Sequence, residues 1–251
     1  MTRSSGVFRR SSAQHRLVDG ARPQSLTADK ALGSLADAAY AAIKQRILSL
    51  ELRPGLFINE QTLCDTIGIG RMPVHQAVQR LKADGLLDII ARKGLVIRMT
   101  SFKELLELFE ARMIVEPGIA ALAAERADAA QVKALRAMLS RSREHLDQKR
   151  SRRNFMALDR EFHAAIAESA GNAILAEAQR PLHERSIRVW LVRVWGPDGL
   201  KDTQREHEAI LGAIAAKRPD AARKAMAHHL EGLRDRIEEG SRQFEELVPE
   251  L

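Results

Sequence analysis

Asp159 and His163 stand four residues apart in Leu158-Asp159-Arg160-Glu161-Phe162-His163, a spacing that puts a carboxylate and an imidazole on one face of a helix. Farther along, His207 lies in Glu206-His207-Glu208-Ala209-Ile210 and His229 in Met226-Ala227-His228-His229-Leu230. One carboxylate and three imidazoles from three helices could hold one divalent cation with positions left open. The pair alone does not demand a metal, because an acid and an imidazole four apart are also common on exposed helix faces. His228 competes with His229: neighbours on a helix are turned by ~100°, so only one of them points into a bundle. His15, His75, His145 and His183 have no such partners. Hydrolytic metal chemistry would need a base beside the ion. There is no His-Glu-x-x-His pattern and no glycine-rich phosphate loop, and Glu206 and Glu208 flank His207 and face away from it.

A second set of residues suits a polyanion. Arg71-Met72-Pro73-Val74-His75-Gln76 and, after a gap, Arg92-Lys93-Gly94 carry side chains that can meet phosphates and base edges. The charge distribution agrees. The chain has 251 residues and a net charge of +7; residues 1–100 hold 15 Lys+Arg against 8 Asp+Glu, and the remaining 25 of each cancel. The whole excess belongs to the first two-fifths of the chain, as expected when one part meets a polyanion and the rest does something else.

These residues need elements to hold them. Apolar residues make up 45% of the chain and aromatics only 4%, with alanine, leucine, glutamate and arginine abundant, so helices are favoured over an aromatic-rich sandwich. Residues 1–33 lack periodicity and read as a disordered basic tail, either a solvated extension or an extra phosphate-attracting arm. From residue 34 to 100, Leu35, Tyr40, Ile43, Ile47 and Leu50 mark one amphipathic helix ended by Arg53-Pro54-Gly55. A short helix over about 60–67, the turn Gly68-Ile69-Gly70 and a helix over about 73–84 form a helix-turn-helix. Leu87-Asp88-Ile89-Ile90 and Leu95-Val96-Ile97-Arg98-Met99 then read as a two-stranded wing around the basic turn Arg92-Lys93-Gly94. The unit is a winged helix.

Residues 101–245 read as an all-helical bundle of about six helices, so the fold class is mainly α. Ser101-Phe102-Lys103-Glu104 is a capping box that opens a helix running past Arg112 and Pro117 to about 125. Further helices are expected over about 128–150, 154–169, 172–194, 202–216 and 219–239, punctuated by Gly171-Asn172 and Gly196-Pro197-Asp198-Gly199. Arg112 could pair with Glu116, four residues on. Arg188, Trp190, Arg193 and Trp195 are candidates for a pocket wall or a dimer surface.

Leu52-Arg53-Pro54-Gly55, Ile67-Gly68-Ile69, Arg71-Met72-Pro73-Val74-His75-Gln76-Ala77-Val78 and Asp84-Gly85-Leu86-Leu87 together resemble the DNA-binding domain of GntR-family bacterial transcription regulators. Where that family usually has Ser-Arg-Thr-Pro-Val-Arg-Glu-Ala-Leu, this chain keeps Arg71 but has His75 and Gln76 in place of the second arginine and the acid. Arginine forks onto guanine, whereas neutral histidine offers one donor and one acceptor and glutamine can pair with adenine. An operator differing from the usual half-site is expected; the alternative for Gln76 is to cap or to face solvent. The second unit resembles the FCD effector domain of the FadR-like branch, on Glu110-Ala111-Arg112, Ser169-Ala170-Gly171-Asn172 and Glu206-His207-Glu208-Ala209-Ile210. The resemblance implies that Asp159, His163, His207 and His229 ligate zinc, nickel or manganese and that Arg112 points at the carboxylate of a small effector.

The expected protein is a homodimeric transcription regulator, not an enzyme. Its winged helix would read a palindromic operator through Arg71, Met72, His75, Gln76, Arg92, Lys93 and Gly94. The alternatives are the same regulator with a metal-free effector pocket, and a helical-bundle metalloenzyme. One cysteine, Cys64, and no apolar run of membrane-spanning length point to the cytoplasm.

Overall fold

The computed structural model describes the backbone of residues 24–146, 152–193 and 197–247, and the side chains of residues 34–146, 153–186 and 199–239. The chain opens with α1 (Gln24–Leu48), which reaches back ten residues into the stretch expected to be a disordered tail. Gln24–Gly33 contains leucine, alanine and lysine, residues that lose little freedom in a helix, and these extend it. Residues 1–23 lie outside the described residues.

The buried face of α1 is Ala36, Ala39, Ile43 and Ile47, whereas Leu35 is 48% exposed and Leu50 lies past the helix end with φ 59. The expected apolar stripe is therefore rotated, because small alanines let α1 approach closely the Val74, Ala77, Val78 and Leu81 face of α3 (Arg71–Ala83). Between them, α2 (Glu60–Ile67) starts at Asn59, whose side chain accepts from Thr62 N at 2.7 Å. It stops at Gly68 (φ 69), whose N–H reaches Cys64 O, a left-handed cap that glycine adopts without strain. This is the expected helix-turn-helix.

The wing has one strand more than expected. β1 (Phe57–Ile58), β2 (Leu87–Ile90) and β3 (Gly94–Ile97) form an antiparallel sheet in the order β1-β3-β2, with Phe57 opposite Val96 and Leu87 opposite Ile97. Two residues are too few to show a period, so β1 is invisible as a pattern. Gly94 has φ 99, and a Cβ there would lie 3.0 Å from Ile58 O, so this turn of the wing is built for glycine.

The remaining helices are α4 (Phe102–Arg126), α5 (Ala129–Arg143), α6 (Arg152–Ser169), α7 (Ala173–Arg193), α8 (Pro197–Ala215) and α9 (Pro219–Leu247). α4 packs against α6, α7, α8 and α9, and continues through Pro117. Phe109, Phe155, Phe162, Ile166, Ile210, Ile214, Met226 and Leu230 are buried in the core between them. α8 begins at Pro197, so Gly199 lies within a helix and not in a turn as expected. Ser101 caps α4 through Glu104 N at 3.1 Å, but the reciprocal half of the expected capping box is not made.

The Glu104 carboxylate goes instead to Arg98, at 3.1 Å, and to Arg185 of α7. It thereby ties the end of the wing to the helical bundle. Lys44 of α1 meets Glu184 of α7 at 2.7 Å, and Gln45 accepts from Arg160 of α6 at 3.2 Å. Lys44 also donates to the Tyr40 hydroxyl at 2.8 Å, and that hydroxyl donates to Asp84 at the C-terminal cap of α3. Leu48, the last residue of α1, is buried in the helical core. Among the described residues, no helix is long and apolar enough to cross a membrane.

Candidate metal centre and nucleic-acid interface

Four helices bring five donors together inside the bundle. Asp159 and His163 come from α6, His183 from α7, His207 from α8 and His229 from α9, and all five are buried. Each sits on the inward face because its apolar neighbours at helical spacing, such as Phe155 and Phe162 on α6 or Met226 and Leu230 on α9, are core residues. His228 is exposed, so of the adjacent pair it is His229 that points inward.

His163 Nε2 lies 3.3 Å from His207 Nε2, and His207 Nε2 lies 3.4 Å from Asp159 Oδ1. Ring nitrogens of His163, His207 and His229 lie within 4.8 Å of one another, as do donor atoms of Asp159, His163 and His183. The outer nitrogens are held by carboxylates. Glu116 Oε2 takes His163 Nδ1 at 2.9 Å, and Glu206 Oε2 takes His229 Nδ1 at 2.8 Å. Each bond leaves the Nε2 lone pair turned inward, as metal-ligating histidines require.

Two expectations change here. His183 is not without partners: its Nε2 lies 3.2 Å from Asp159 Oδ2. Glu206, expected to face away, does leave His207 but reaches α9, where it orients His229 and is clasped by Arg236. Sequence reasoning missed these because both partnerships cross between helices. A signal existed for His183: Gln179, His183 and Ser186 form a buried polar stripe on α7 at four- and three-residue spacing.

The donor set fits a divalent cation. Both oxygens of Asp159 and Nε2 of His229 are buried without a hydrogen-bond partner, an unfavourable state unless something else satisfies them. Burial, then the nearby His229, holds His207 well below the usual imidazole value, against the pull of Asp159. Burial likewise lowers His229 despite Glu206, and pushes His183 down to about 4. These three rings are therefore neutral near pH 7, the state in which imidazole ligates metal. Burial alone would raise Asp159, but His183 foremost, its Nε2 close to Oδ2, and then His163 and His207 hold it below the ordinary carboxylate range.

Arg112 is 1% exposed, and its guanidinium grips Glu116 through Nε (2.5 Å) and Nη2 (3.3 Å) while Nη1 donates to Ser186 Oγ at 2.9 Å. The pairing with Glu116, read as one possibility from the spacing, is thus present. Burial would raise Glu116; Arg112 foremost, then His163, holds it well below the ordinary carboxylate range. The side chains of Arg188, Trp190, Arg193 and Trp195 lie outside the described residues.

At the other end of the chain, Arg71, Met72, His75 and Gln76 share the exposed face of α3, opposite its buried Val74, Ala77 and Val78. Met72 is 60% exposed. Gln79, one turn past His75, shares that face and was missed; its spacing alone would have found it. His75 Nδ1 is 2.9 Å from Glu60 Oε1 on α2, so its other nitrogen is the one available outward. Arg92 and Lys93 are exposed on the wing turn beside Gly94, with Arg92 at φ 65. Arg71 and Arg92 line an open groove of about 420 Å³ between the start of α3 and the wing, with Asn59 and Gly94 on its walls.

Comparison with known proteins agrees with both halves. Residues 107–232 match the FCD domain, and residues 35–97 match bacterial regulatory proteins of the gntR family. The chain is 30% identical over 205 residues to an uncharacterized HTH-type transcriptional regulator in an unstable DNA locus of Streptomyces ambofaciens, covering 79% of this chain and 83% of that protein. It is 29% identical to the Nta operon transcriptional regulator of Aminobacter aminovorans, covering 76% and 88%. Among solved structures, E. coli McbR/YncC has the same fold, with a TM-score of 0.72, 20% identity and coverage of 84% of this chain and 98% of that one. The chain belongs to the gntR family of bacterial regulatory proteins: a transcription regulator, not an enzyme, that joins a helix-turn-helix DNA-binding domain to an FCD effector domain.

Proposed function

We propose that this regulator works in the cytoplasm as a homodimer on a palindromic operator and is controlled by a small carboxylate metabolite at a divalent cation held by Asp159, His163, His207 and His229. The observation that carries the reading is the burial of unsatisfied donor atoms on Asp159 and His229, each within a three-residue group of candidate ligands that includes His163. A set dominated by imidazoles favours zinc or nickel over magnesium or calcium, and its one carboxylate keeps manganese as the third candidate. When bound, such an ion supplies a concentrated positive charge that an anionic effector can coordinate.

The protein's own groups do the rest. Glu116 and Glu206 orient His163 and His229, and Arg112 holds Glu116. An effector carboxylate reaching Arg112 would displace the neutral Ser186 hydroxyl more readily than the Glu116 carboxylate, since charge-assisted bonds are the stronger. Residues 34–100 form the DNA-binding unit and 101–245 the effector and dimerisation unit in this reading. Arg71, Met72, His75 and Gln76 address base edges, while Arg92, Lys93 and Gly94 lie along the backbone. Effector binding acts by favouring one arrangement of the two winged helices over another.

The test is metal content of the purified protein beside a variant with His207→Ala and His229→Ala, followed by operator release on titration with small carboxylates. Stoichiometric metal lost in the variant is the expected result. No metal after supplementation with zinc, nickel and manganese would overturn the cation and move the effector search to metal-free ligands.

A further inference from the structure

The cation site proposed above uses donors from α6, α8 and α9, and α7 places one more buried imidazole beside them. His183 is 3% exposed, and its ring lies with its centroid 4.5 Å from that of His163. The two oxygens of Asp159 are divided between neighbours, Oδ2 being 3.2 Å from His183 Nε2 and Oδ1 being 3.4 Å from His207 Nε2. Both oxygens are buried, and their contacts to His183 and His207 are long ones, of 3.2 and 3.4 Å.

Separations of this length are also what converging ligands produce. Donors ~2.0–2.2 Å from one cation, set roughly 90–110° apart, lie about 2.8–3.6 Å from each other with their lone pairs aimed at the ion between them. The separations of 3.2, 3.3 and 3.4 Å linking His183, Asp159, His207 and His163 all fall there. His183 thus stands to Asp159 as His207 does.

We propose that His183 is a fifth protein donor to the cation, so that four imidazoles and one carboxylate surround it. The proposal rests on the reading that the site holds a cation. Its consequence concerns the effector: with Asp159 ligating through one oxygen, a six-coordinate ion with five protein donors has one position left. An effector carboxylate then binds the ion through one oxygen, and an acid able to chelate through two gains nothing from its second.

Zinc-loaded full-length protein tests this by X-ray absorption, which counts imidazoles on the metal. Four imidazoles are expected in the wild type and three in His183→Ala, with zinc affinity in a chelator competition falling by about tenfold or more. Oxalate, which chelates, should gain on acetate, which does not, in His183→Ala and not in the wild type. Thermal melting followed by circular dichroism checks that the variant folds, and His183→Gln serves if it does not. Three imidazoles in the wild type would overturn the assignment of His183 while leaving the cation site standing. Absence of zinc after reconstitution would overturn both.

Discussion

The Nδ1 nitrogen of His229 meets Glu206 Oε2 at 2.8 Å, and Arg236 clasps the same carboxylate at 2.9 and 3.0 Å. A ring anchored on one side by an ion-paired carboxylate has its tautomer and tilt fixed on the other. Arg236 and His229 together hold Glu206 down to about 2, against its burial. Glu206→Ala should therefore weaken zinc binding by about 10–100-fold while the metal-free fold persists. Chelator competition measures it, and unchanged affinity would remove Glu206 from the orientation of His229.

Acid should loosen the metal-free protein. His183 titrates at about 4 in the fold, below the ordinary imidazole value, and His207 and His229 are lowered too. The unfolded chain binds these protons first, so stability is full above ~6.5 and falls as the pH drops from there toward 4. The melting temperature should decline across that window. A flat profile between pH 7 and 5 would contradict the burial of neutral rings.

His75→Arg should shift operator preference. His75 is exposed on α3, with Nδ1 engaged by Glu60 and only the outer nitrogen available. Arginine would supply a two-pronged donor for guanine, a change of about 1–3 kcal/mol in discrimination at one base pair. Footprinting on randomised operators checks this; an unchanged preference would take His75 away from the base edges.

Removing the Glu184 carboxylate should uncouple the two halves of the chain. Its partner Lys44 has a side chain only 12% exposed, so Glu184→Ala leaves a largely buried ammonium with the neutral Tyr40 hydroxyl in place of a counter-ion, at a cost of about 3 kcal/mol. Urea unfolding should lose stability by that order. It should also separate into two transitions where one is expected of the wild type. A single unshifted transition would mean that the pair contributes nothing to the join.

Much of this architecture is legible without coordinates. Periodicity finds α2, α3 and the six helices of the bundle, because each has an apolar face that must be buried. The same reasoning brings Asp159 and His163 together at four-residue spacing, and the family resemblance adds His207 and His229. Structure outside that grammar comes from packing between elements. Glu104 is written as half of a capping box but is drawn away by Arg98 and Arg185, two arginines no local pattern connects to it. His183 is a solitary histidine until α6 and α7 are laid side by side. Leu35 follows the expected helical stripe and is still exposed, since alanine at 36 and 39 gives the closer fit.

One turn of α7 touches the donor cluster, α1, the end of α3 and α4. His183 faces the donor cluster, Glu184 meets Lys44 of α1, Arg185 meets Glu104 and packs against Gly85 behind the end of α3, and Ser186 meets Arg112. Four consecutive side chains therefore answer to four different constraints on a rod whose residues turn together. This limits how freely the two halves can be recombined. A chimera placing this effector unit behind a different winged helix would have to carry Lys44, Gln45 and the small residue at position 85 along with it. Modularity, in this chain, stops at the surface of α7.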